Sequence, residues 1–154
     1  MEHIISIRDF DREQLDRLLD TAQQINDHHY DRHALDGKIL ALLFFEPSTR
    51  TRMSFEAAMA RLGGTCMSLD CVEASSIVKG ETLADTIRVI SGYADAIVLR
   101  HPKEGAARLA SEFATVPVLN AGDGAGQHPS QTMLDLFTIR QCMPLDGCDV
   151  GLLG

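Results

Sequence analysis

Phe44-Phe45-Glu46-Pro47-Ser48-Thr49-Arg50-Thr51-Arg52-Met53-Ser54-Phe55-Glu56 is the stretch from which the rest of the chain can be read. It is entered from an apolar run, Ile39 to Phe45, which is too short and too rich in aromatics for a helix and reads as a buried strand. Pro47 ends that strand, and a helical pattern follows, with Phe55, Met59 and Leu62 on one face and Gly63-Gly64 as its stop. Three hydroxyls (Ser48, Thr49, Thr51) and two guanidiniums (Arg50, Arg52) therefore sit where a helix exposes N–H groups that no carbonyl accepts. Cations in a first turn oppose the helix dipole, so a solvated basic turn behind an N-cap serine is the poorer account. Free N–H donors, the positive end of the dipole and arginine forks converge on an anion site, and phosphate is the anion they suit.

Outward from this stretch the chain alternates strands and helices. A helix is expected over Asp9 to Ile25, with a capping-box spacing of Asp11 and Gln14 and a stripe of Leu15, Leu18, Leu19, Ala22 and Ile25. Further strands are expected at Thr65–Leu69, Ala96–Leu99 and Val116–Leu119, the last placed at an edge by Pro117. Helices are expected over Thr82–Ile90, Glu104–Phe113 and Ser130–Cys142, and Asp149–Leu153 reads as the start of another strand. Between Leu119 and the last helix lies a Gly-rich loop, Asn120 to Pro129. This order predicts an α/β domain with a mainly parallel four-stranded sheet flanked by helices. Ligands gather beyond the carboxyl ends of strands in such sheets. The Ser48–Arg52 turn, Arg100 and the His128 loop all lie at such ends. His128 suits polarising a ligand carbonyl better than a purely structural role, given those neighbours.

Composition narrows the function classes. The chain has 154 residues, 45% of them apolar, and carries a net charge of −8. That length suits one domain with a sizeable core. So acidic a chain argues against nucleic acid as a partner, while a local cationic site within it suits a small anion. No signal peptide and no apolar run long enough for a membrane span is visible, so a cytoplasmic location is expected. The four cysteines (Cys66, Cys71, Cys142, Cys148) form no CxxC and read as reduced, small core residues. His28, His29 and His33 lack supporting ligands and read as a solvated helix end, so no metal is expected. Gly122-x-Gly124-x-Gly126 lacks the dinucleotide spacing, no GxxxxGK[ST] occurs, and no GxSxG surrounds a serine.

The stretch Phe44 to Glu56 resembles the carbamoyl-phosphate signature of the transcarbamoylases. Lys79-Gly80-Glu81-Thr82-Leu83-x-Asp85-Thr86, Arg100-His101-Pro102 and His128-Pro129-Ser130-Gln131 resemble the family's other blocks, in the same order. The lead-in Phe44-Phe45-Glu46-Pro47, the block at Lys79 and Ser130 are similar to the aspartate branch. The ornithine branch typically has Cys at the position of Ser130. The aspartate branch more often has Thr there, so this chain keeps the hydroxyl but departs in the residue.

The resemblance implies a Rossmann-like three-layer fold and transfer of a carbamoyl group from carbamoyl phosphate to the α-amino group of L-aspartate, a step of pyrimidine biosynthesis. It implies that Ser48, Thr49, Arg50 and Thr51 hold the phosphate. Thr51, Arg100 and His128 would bind the carbamoyl oxygen, and Gln131 the carbamoyl amide. Ser75 and Lys79 would reach into the site of a neighbouring subunit in a homotrimer, and a regulatory chain can join such an assembly. Arg50, Thr51, Arg100 and His128 would stabilise the tetrahedral intermediate, with no cofactor. The family enzyme has two domains. Residues 1–142 would be the carbamoyl-phosphate-binding one, with 130–142 as the connecting helix, and 143–154 would begin an aspartate-binding domain that is otherwise absent. A fragment is therefore expected, with weak carbamoyl phosphate binding at most and no turnover of its own. An ornithine-type half and a non-catalytic phosphate-binding module are the alternatives.

Overall fold

The computed structural model describes residues 3–69 and 81–151. A single 3-10 turn, Ile7–Asp9, precedes α1 (Arg12–Asn26). There follow β1 (Ile39–Phe44), α2 (Thr49–Arg61), β2 (Thr65–Leu69), α3 (Leu83–Ile90), β3 (Ala96–His101), α4 (Ala106–Phe113), β4 (Val118–Asp123) and α5 (Pro129–Cys142). The four strands form one sheet in the order β2-β1-β3-β4, and every pairing is parallel. This is the α/β architecture that the alternation predicts.

β1 is almost uniformly apolar because a central parallel strand is covered on both faces. Leu40, Ala41, Leu42 and Leu43 are all buried. Successive side chains point to opposite faces, and two cores result. Ala41 and Leu43 join Ile97, Leu99, Ile87, Ala107 and Ala110 on the side of α3 and α4. Leu40 and Leu42 join Val98, Met59 and Ala121 on the opposite side. Helices on both faces follow from right-handed crossovers that run first outward to β2 and then back across β1 to β3. The reversal leaves a crevice at the carboxyl ends of β1 and β3, the switch point at which open α/β sheets bind ligands.

Several boundaries differ from expectation. β3 runs on through Arg100 and His101, so both belong to the strand rather than following it. β4 begins later than Val116 and continues through Asn120, Ala121, Gly122 and Asp123, residues that read as loop. Tertiary pairing overrides their poor strand propensity. His101 pairs with Asp123, and Asn120 N–H donates to the Ile4 carbonyl, 2.8 Å away. The Ile4 bridge also covers part of the β4 edge. α4 starts at Ala106 behind Gly105, whose φ is +81°.

α1 carries the predicted capping box, with Asp11 and Gln14 bonded reciprocally at 2.8 Å. Its apolar stripe is only partly covered: Leu19 is buried, whereas Leu18 and Ile25 are exposed. Of the cysteines read as core residues, Cys66 is half-buried and packs against the core of Leu40 and Leu42, whereas Cys148 is half-buried and Cys142 exposed. Cys71 lies outside the described residues. Asp149–Gly151 forms no strand, and the rest of that expected strand also lies outside them. No described helix is long and apolar enough to cross a membrane.

Candidate functional site

Pro47 breaks β1 and Ser48 becomes the N-cap of α2, with φ −155° and ψ 84°. The Ser48 side chain makes no capping hydrogen bond. The first helical bond to the cap runs from Arg52 N–H to the Ser48 carbonyl at 3.1 Å. The N–H groups of Thr49, Arg50 and Thr51 therefore lack helical acceptors, and no acidic residue occupies this first turn. Arg50 is exposed, and among the described residues it takes part in no ion pair. Arg52 lies 3.6 Å from Glu56 on its own helix, turning one of the two guanidiniums along the helix flank. An uncapped, cation-bearing helix start is arranged to receive an anion.

The opposite wall comes from β3 and the turn after β4. Phe44 pairs with Arg100, and Phe45 N–H donates to the Arg100 carbonyl at 2.9 Å, so Arg100 stands beside the exit of β1. Its Nη1 donates to the Ala121 carbonyl at 3.0 Å, and Nη2 lies 3.5 Å from Glu46 Oε1. Its Nε is buried without a hydrogen-bond partner among the described residues. Arg100 thus stands between the exits of β1 and β4 with its guanidinium incompletely paired.

His128 caps α5 and comes to the same place. Its Nδ1 accepts from Gln131 N–H at 3.3 Å and lies 3.2 Å from Ser130 Oγ. With Nδ1 accepting, the neutral ring carries its proton on Nε2 and can donate from there. Burial first, and then the nearby Arg100 charge, hold the His128 pKa below the ordinary histidine value. A neutral imidazole donor at neutral pH is the result.

Gly122 explains how Arg100 and His128 can meet. A Cβ on this residue would lie 2.7 Å from Arg100 Nη1 and 3.1 Å from His128 Cδ2, and its φ is +112°. Glycine here satisfies both a left-handed backbone and the close approach of two side chains.

Ser48, Thr49, Arg50 and Thr51 thus share one helix start, while Arg100 and His128 meet at Gly122. Gln131 contributes its backbone N–H to His128, but its side-chain amide donates to Asp135 Oδ1 at 2.9 Å. Ser75 and Lys79 lie outside the described residues. Sequence reasoning passed over Glu46, Gly122, Asn120 and Asp123. The Asn-x-Gly-Asp pattern offered a signal, since those residues favour unusual backbone, yet it read only as part of a Gly-rich loop.

Residues 2–141 match the model of one family, described as the aspartate/ornithine carbamoyltransferase carbamoyl-P binding domain. The chain belongs to that family. It is 79% identical over 154 residues to the aspartate carbamoyltransferase catalytic subunit of Methanoculleus marisnigri, covering 100% of this chain and 52% of that protein. Its fold matches the catalytic subunit of M. jannaschii aspartate transcarbamoylase with TM-score 0.83 and 56% identity, over 92% of this chain and 47% of the other. The Trypanosoma cruzi aspartate transcarbamoylase in complex with carbamoyl phosphate matches with TM-score 0.81 and 46% identity, over 91% and 44%. As a carbamoyltransferase-family domain, the chain spans about half the length of the curated relatives it matches.

Proposed function

We propose that this chain is the carbamoyl-phosphate-binding half of an aspartate carbamoyltransferase. The observation that carries the proposal is the uncapped start of α2, Ser48 to Thr51, facing the crevice into which Arg100 and His128 converge. The phosphate sits on the free N–H groups and hydroxyls of Ser48, Thr49 and Thr51, with Arg50 as its counter-charge. The carbamoyl oxygen lies toward Thr51, Arg100 and neutral His128, and the carbamoyl amide toward Gln131, whose side chain turns from Asp135 to reach it.

In the reaction the aspartate amine attacks the carbamoyl carbon. A C–N bond forms, the C–O bond to phosphate breaks, and the proton lost by the neutral amine leaves on the departing phosphate, giving carbamoyl-aspartate and hydrogen phosphate. Negative charge gathers on the carbamoyl oxygen, where Arg50, Thr51, Arg100 and the His128 Nε2–H stabilise it. Holding two substrates in line supplies much of the remainder. Residues 1–142 form the binding domain, with 130–142 as connector, and residues 143–154 open a second domain. Aspartate recognition belongs to the part of the relatives' length that this chain does not span. Ser75 and Lys79 complete a neighbour's site in a homotrimer.

Calorimetric titration of the 154-residue chain with carbamoyl phosphate tests the proposal, with Arg50→Ala as the control. Weak but saturable binding that disappears in the variant is the expected result. Binding that survives Arg50→Ala unchanged would remove the helix start from the site.

A further inference from the structure

Two polar side chains are buried where β4 runs into its turn: Asn120 is 1% exposed and Asp123 is 4% exposed. Buried amides and carboxylates are costly unless their hydrogen bonds are made, and here the bonds go to the two ends of one turn. Asn120 Oδ1 accepts from Gly122 N–H at 2.9 Å. Asn120 Nδ2 donates to the Gln127 carbonyl at 3.1 Å and the Ile5 carbonyl at 3.0 Å, and reaches Asp123 Oδ1 at 3.3 Å. Asp123 Oδ1 accepts from Gln127 N–H at 2.8 Å, and Oδ2 accepts from Gly105 N–H at 2.9 Å, just ahead of α4.

The gripped residues are the ones that shape the carbonyl wall. Gly122 is the surface on which Arg100 and His128 lie. Ala121, between Asn120 and Gly122, offers the carbonyl that holds Arg100 Nη1. Gln127 immediately precedes His128, and its own side chain accepts from Ser6 Oγ at 3.0 Å. The Ser48–Thr51 turn belongs to a different element and is bonded within α2. The network therefore acts on one side of the site only.

We infer that Asn120 and Asp123 are positioning residues that set Arg100 against His128, and so make the site prefer a carbamoyl phosphate over bare phosphate. The inference rests on the carbamoyl-phosphate assignment above. Loss of the network leaves the phosphate turn in place and spoils only the donors for the carbamoyl oxygen.

The test compares carbamoyl phosphate and inorganic phosphate as calorimetric probes on the 154-residue chain, on Asn120→Ala and on Asp123→Asn. The second variant keeps the side-chain volume and one acceptor. In either folded variant, carbamoyl phosphate binding weakens about tenfold or more while phosphate binding stays within about twofold. Equal weakening of both probes, or failure of both variants to fold, would make the pair merely structural and overturn the inference. A parent chain with no preference between the probes would instead remove the carbamoyl-phosphate assignment. The positioning claim is then decided without ligand, by following the His128 ring with NMR. In the parent it titrates below the ordinary value with its proton on Nε2; in the variants it moves toward the ordinary value. An unmoved ring in a folded variant would overturn the claim.

Discussion

Among the described residues, the Arg100 side chain makes two polar contacts that differ in character. The bond to the Ala121 carbonyl fixes the position of Nη1, whereas the Glu46 contact at 3.5 Å is long and sits at a half-exposed rim. Gly122 is the residue that leaves room for the first. Gly122→Ala places a methyl 2.7 Å from Nη1 in a left-handed backbone, so both sterics and φ oppose it. We expect the substitution to lower stability by about 1–3 kcal/mol and to abolish saturable carbamoyl phosphate binding. Urea unfolding and calorimetry on the same preparation check both, and wild-type binding in the variant would show that Arg100 can yield without consequence.

At the scale of elements, burial decides which apolar residues matter. Leu42 in β1 is 0% exposed and lies between two helical layers. Leu42→Ala is expected to cost about 2–5 kcal/mol, transfer loss plus cavity. On α1, neighbouring leucines part company: Leu19 is buried and Leu18 is not. Leu19→Ala should therefore destabilise clearly more than Leu18→Ala in denaturant midpoints, and equal effects would mean that α1 is rotated relative to the sheet. Thr82 caps α3 by accepting from Asp85 N–H at 3.2 Å. Its replacement by Ala should cost about 1 kcal/mol, read as a lower thermal midpoint with the same fold.

Across the whole molecule, acid should act in two stages. His3, His101 and His128 all have pKa values lowered by burial as the first cause. The unfolded chain then binds more protons than the folded one, so stability falls as pH drops through the ordinary histidine value of about 6.5. Asp85, Asp95 and Asp146 have lowered values through hydrogen bonds and neighbouring cations. Their contribution is present above the ordinary carboxylate value and is lost below it, which places a second decline under about pH 4. Urea midpoints between pH 8 and 5, for the parent and His128→Asn, check the first stage. A flat profile in the parent would contradict it, and the variant should show a shallower fall.

The residues that carried the sequence reading were those whose chemistry is local. Ile39–Phe44 is apolar enough to be a central strand wherever it is placed, and Pro47-Ser48 ends it and starts a helix by backbone geometry alone. Strand and helix order then restricts the sheet to a few topologies, and the uncapped basic turn marks one side of the site. Long-range pairing decided the rest. Asn120 to Asp123 reads as part of a Gly-rich loop, and becomes strand because Ile4 and His101, distant along the chain, meet it. Leu18 and Leu19 are chemically the same, and only the tertiary packing of α1 separates them. Hydrogen bonds such as Asn120 Nδ2 to the Ile5 carbonyl exist only when the sheet has brought the strands together. The Arg100–His128 side of the candidate site is therefore a property of the fold, whereas the Ser48–Thr51 side is written in one continuous segment, because a helix start needs only its own residues to expose its donors.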